Sequence, residues 1–171
     1  MGDLLTIATL SIASGLLSLL CLVALHLVSP EYSPAWRMVS EYALGKHKWL
    51  LTAFFTFWGV STLLTACLLW HIVTTPWVIF GVILVFISGV GAVMGGLFDV
   101  KHKLHSLSFM LGVPTLPIGA LLISYHLIKK ESWDEHQSII VLSAHAVWIS
   151  MVLMGISMVL IFSGFKKSGY Q

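Results

Sequence analysis

Five apolar runs, each long enough to cross a bilayer, constrain this chain more than anything else in it: 4–28, 49–71, 77–97, 104–128 and 139–162. A spanning helix takes about 20 residues. In hydrocarbon every backbone N–H and C=O must be bonded within the protein, so such runs become helices. Only 9% of the residues are charged, against roughly 25% in soluble chains. The expected fold class is all-α, a polytopic transmembrane bundle of about five spanning helices in one domain over 1–171. Trp49, Trp70 and Trp77 fall at segment ends, where amphipathic rings favour the headgroup layer.

Charge in the short loops sets the expected orientation. One side receives Arg37, Lys46, Lys48, Lys101, Lys103, Lys166 and Lys167; the other receives Lys129 and Lys130. Seven against two predicts a cytoplasmic location for the first side of a bacterial cytoplasmic membrane protein, with the N-terminus outside and the C-terminus inside. The N-terminus carries Asp3 in place of a basic region, and its apolar run exceeds the about 7–15 residues of a signal core, so no cleavable signal peptide is expected. A formal charge of +2 with no dense basic run excludes nucleic acid as a partner. Cys21 and Cys67 stand singly in apolar runs and read as two small buried hydrophobes.

The first loop, 29–48, contains two Ser-Pro steps and then an amphipathic stretch. Ser33 suits a helix cap, Pro34 a first turn and Gly45 a stop, which predicts a short interfacial helix near 34–44. Its polar residues are Arg37, Ser40 and Glu41. In the third segment Gly91 and Gly95 make a small-xxx-small spacing that admits a close neighbour. Pro114 and Pro117 remove backbone donors from the fourth segment and should kink it, leaving carbonyls for a neighbour or water to satisfy.

The chemistry-bearing groups concentrate in 95–106, GGLFDVKHKLHS. Asp99, His102 and His105 are spaced by three, which on a helix makes a slanting row of neighbours. Such groups ligate zinc where three or four converge, and Glu41 opens on the same side. The competing reading is an interfacial cluster that caps the fourth segment and pairs Asp99 with a lysine or Arg37. His145 lies deeper, about 10 Å into the last segment, and either serves as an alternative metal ligand or bonds Ser124 or Tyr125 on a neighbouring helix. His71 and His126 are depth-matched and define a haem b alternative.

The stretch SPEYSPAWRMVSEYALGKHKWLLTAFF, followed by GGLFDVKHKLHSLSFMLGVPTLPIGALLISYHL, resembles the bacterial membrane family known as domain of unknown function 998. The landmarks carrying the resemblance are Ser40, Glu41, Gly45, Phe98, Asp99 and His105, over roughly 30–127. Members of that family often have six helices, so the resemblance implies that a last helix is missing or replaced here. It implies a fold and landmarks but no reaction. A more distant likeness is to ceramidase and progestin-receptor-like membrane hydrolases, whose zinc set Asp99, His105, His145 and Ser40 would imitate; the different depths of His105 and His145 argue against it.

The leading expectation is therefore a polar pocket at the cytoplasmic mouth, with Arg37, Ser40, Glu41, Asp99 and His105 binding a lipid, a small amphiphile or a partner subunit, or serving a homo-oligomer. The alternative is a metal-dependent hydrolase of lipid amides or esters, with Asp99, His102 and His105 (or His145) holding zinc and Glu41 and Ser40 as catalytic candidates. The second alternative is haem-binding electron transfer through His71 and His126.

Overall fold

The computed structural model describes residues 2–34 and 37–163. Ala35, Trp36, Lys166 and Lys167 lie outside the described residues, and with them part of the loop and of the basic tail. Helices α1 (Gly2–Val28), α2 (Lys48–Trp70), α3 (Pro76–Leu97), α4 (His105–Gly112), α5 (Thr115–Leu127) and α6 (Gln137–Phe162) follow in order, and no strand occurs among the described residues. Five units are long and apolar enough to span a membrane, α4 and α5 together making one. The expected all-α bundle of five spans is present, its helices beginning and ending within a few residues of the expected limits.

The helices pack in sequence order: α1 on α2, α2 on α3, α3 on α4 and α5, and α5 on α6. Helix α3 is the axis, with 44% of its apolar window buried against 6% for the last span. Three glycine crossings let it sit so deep. A methyl on Gly91 would lie 2.6 Å from the Cα of Gly112 on α4. One on Gly59 of α2 would lie 2.7 Å from the carbonyl oxygen of Gly89, and one on Gly119 of α5 would lie 2.6 Å from that of Gly81. Backbone meets backbone at these points, and no side-chain movement relieves an added carbon. Gly95, the other half of the expected spacing, makes only ordinary contacts with Phe55 and Ser108.

Helix α1 is held to α2 by hydroxyls. Ser11 Oγ donates to the Ser61 carbonyl at 2.9 Å, Ser61 Oγ returns a bond to the Ser11 carbonyl at 2.8 Å, and Ser18 Oγ donates to the Phe54 carbonyl at 3.0 Å. Ser11 and Ser18, seven residues apart, share one face of an otherwise apolar helix. That spacing was the signal available in the sequence.

The fourth span is broken, as its prolines require. Helix α4 ends at Gly112 and α5 starts at Thr115, with Pro114 between them and Pro117 in the first turn of α5, where its missing donor costs nothing. At the break Ser88 Oγ of α3 donates to the Gly112 carbonyl at 2.6 Å, and the Thr115 hydroxyl donates to the Leu111 carbonyl. One expectation fails here: Cys67 is exposed on the bundle surface, while Cys21 is half-buried.

Candidate functional site

The loop after α1 folds into a cap around Tyr42. A short 3-10 helix, Val39–Leu44, lies within the stretch near 34–44 expected to be helical, and Met38, extended, precedes it. Tyr42 is 1% exposed and packs with Leu25, Leu50, Leu51 and Phe54. Its ring lies 5.2 Å from that of His26 and 4.8 Å from that of Tyr32, and its hydroxyl donates to the Tyr32 carbonyl at 2.8 Å. Burial, assisted by the Glu31 carboxylate, raises the Tyr42 pKa above its ordinary value. Gly45 ends the turn with φ −88°, a conformation open to any residue. It is needed for room: a Cβ there would lie 2.9 Å from the Tyr32 ring.

On this cap Arg37 Nη1 contacts Glu41 Oε2 at 3.4 Å, and both side chains are 18% exposed. Ser40 is half-buried on the same turn. Glu41 and Ser40 thus sit on a surface packed against α1 and α2.

The second group lies in 98–104, between α3 and α4. This is a run of turns, so the helix that would align Asp99, His102 and His105 begins only at His105. Each side chain serves its own turn. Asp99 Oδ1 accepts from the Lys101 N–H at 3.0 Å, and His102 Nδ1 accepts from the Leu104 N–H at 3.1 Å while its ring stacks on Phe98. His105 Nδ1 donates to the Phe98 carbonyl at 2.9 Å, which fixes the tautomer and leaves Nε2 as the acceptor. Among the described residues no three His, Cys, Asp or Glu side chains converge as a metal-ligand group.

The remaining histidines are dispersed. His145 Nε2 lies 2.9 Å from the Tyr125 hydroxyl across the α5–α6 contact, one of the two partners anticipated for it. His71 follows the end of α2 and His126 is in the last turn of α5, on helices that flank α3.

What the site end does bring together is positive charge. Lys46, Lys48, Lys101, His102 and Lys103 are all exposed. A methyl on Gly96 of α3 would lie 3.0 Å from the Thr52 carbonyl of α2, and one on Gly95 would lie 3.8 Å from Ser108 of α4, so the lysine-bearing ends of these helices adjoin. Among the described residues this end carries five Lys and Arg against Glu31, Glu41 and Asp99, a balance of +2. The opposite end carries Lys129 and Lys130 against Asp3, Glu131, Asp134 and Glu135, a balance of −2. In the sequence these lysines set the expected orientation, while the acid and histidines between them supplied the candidate ligands.

No match was found among curated proteins or among solved structures. The family model described as protein of unknown function (DUF998) matches residues 12–170, well beyond the 30–127 stretch that carried the resemblance and on through α6. An axial glycine-packed helix, a broken fourth span and a landmark-bearing cap at one end are thus features of a chain that belongs to the DUF998 family.

Proposed function

We propose that this protein binds anionic lipid headgroups at its basic end, on the cytoplasmic face of the membrane. The observation that carries this reading is the convergence of exposed Lys46, Lys48, Lys101 and Lys103 at the adjoining ends of α2, α3 and α4. Each juxtamembrane lysine near an anionic surface contributes about 1 kcal/mol. The cap supplies a rigid wall beside them, since Tyr42 is buried and Arg37 is drawn to Glu41. His102 adds a donor on the same turn: its Nδ1 accepts a backbone N–H, so the ring proton of the neutral form is on Nε2. Binding is favoured over metal-dependent hydrolysis because Asp99, His102 and His105 lie in separate turns and, among the described residues, do not converge as a group of three ligands.

The test compares thermal stability of the protein in phosphatidylcholine nanodiscs with that in discs containing phosphatidylglycerol. The expected result is a higher midpoint in the anionic discs, reduced by salt and diminished when Lys46, Lys48, Lys101 and Lys103 are all changed to Gln. Equal midpoints in the two lipids, or an undiminished difference in the quadruple variant, would overturn the reading.

A further inference from the structure

A groove of about 370 Å³ opens on the bundle surface between α2 and α3, far from the basic end. Its floor is Ala66 and Val82, both buried, and its walls are the exposed Cys67, Trp70, Ile83 and Phe86. His71, just past the end of α2, closes one end. There Lys130 reaches back from beyond α5, its Nζ 3.5 Å from the carbonyl of Ile72, the residue next to His71. The groove is therefore apolar along its length, with an imidazole at one end and, outside its lining, the Lys130 ammonium held at the carbonyl of the residue next to that imidazole.

We infer that this groove holds one acyl chain of a membrane lipid whose anionic headgroup sits at His71 and Lys130. Two observations select that occupant. The groove runs along α2 only from Ala66 to His71, about 7.5 Å at 1.5 Å per residue, a short fraction of what a partner helix would cover. Its walls are bulky aromatic and aliphatic side chains, whereas helix partners in membranes approach over small residues. The sign of the headgroup follows from the mouth. This end of the molecule is negative in balance, so diffuse attraction brings no anion here and recognition falls to the local pair, a charge-assisted contact from Lys130 with a second bond from His71.

The experiment places the full chain in phosphatidylcholine nanodiscs doped with phosphatidylglycerol bearing a diazirine in one acyl chain, and maps the photolabelled residues by mass spectrometry. The matching phosphatidylcholine probe is run beside it. Labelling should concentrate on 66–71 and 82–86, with the glycerol lipid exceeding the choline lipid roughly tenfold, the worth of one charge-assisted contact. Lys130→Gln should erase that preference. Cys67→Trp should remove the labelling, and Ile83→Trp, on the other wall, repeats the block should the first variant fail to fold. Equal labelling by the two probes, or labelling indifferent to both tryptophans, would overturn the inference, leaving ordinary lipid at that surface. Changing the four basic-end lysines to Gln leaves the groove labelled, so this site and the basic-end headgroup site fail independently.

Discussion

Tyr42 shows how one side chain organises the cap. It is buried among Leu25, Leu50 and Leu51, and its hydroxyl holds the Tyr32 carbonyl. Because its folded pKa is raised, the folded state keeps the phenolic proton longer than the unfolded chain does. That contribution is complete below the unfolded pKa, about 10, and is lost as pH climbs through the higher folded value. Thermal midpoints should hold level up to about pH 10 and then fall. Tyr42→Phe should lower the neutral stability by about 1 kcal/mol for the lost hydrogen bond and flatten the alkaline fall. An alkaline slope identical in the two proteins would remove Tyr42 as the responsible group. Gly45 was readable as a stop from the sequence, but for a different reason than the one that holds. Its φ of −88° uses no glycine freedom; the Tyr32 ring is what excludes a side chain. Such a need is invisible before the loop's path is known.

At the scale of elements, the break between α4 and α5 depends on a neighbour. Ser88 of α3 donates to the Gly112 carbonyl beside the break, whereas Ser150 of α6 donates to the Ala146 carbonyl of its own helix. Ser88→Ala should therefore cost about 0.6 kcal/mol, the average for interhelical bonds in bilayers, and no more than about 1.7, while Ser150→Ala should be near neutral. Reversible unfolding in mixed micelles measures both, and equal effects would contradict this account. The kink itself was legible, since Pro114 announces it. Which residue would serve the freed carbonyl was not, because that depends on the rotation of α3 against α4. The row of Asp99, His102 and His105 failed for a local reason. Asp99 Oδ1 and His102 Nδ1 capture backbone N–H groups of Lys101 and Leu104, and the chain turns where spacing by three presumed a helix.

For the whole molecule, five spans put Lys46 and Lys101 on one side and Lys129 on the other. With Cys21 and Cys67 replaced by Ala, single cysteines at positions 46 and 101 should react with an impermeant maleimide only after the membrane is opened, and one at 129 should react in intact cells. Reaction of 101 and 129 from the same side would refute the five-span path. The number of spans was legible because hydrocarbon permits few alternatives; their order of contact was not, since apart from the serine face of α1 the runs present little but apolar surface. That order has a mechanical consequence. α1 packs on α2 and, at its last turns, on the cap around Tyr42, and α6 packs on α5 with the turn that precedes it, while α3 is clasped on several sides at glycine crossings. Load applied at either end of the chain meets one seam at a time, so the molecule would shed its outer helices singly, like slats from a blind, and keep the α2–α3–α4 centre until last.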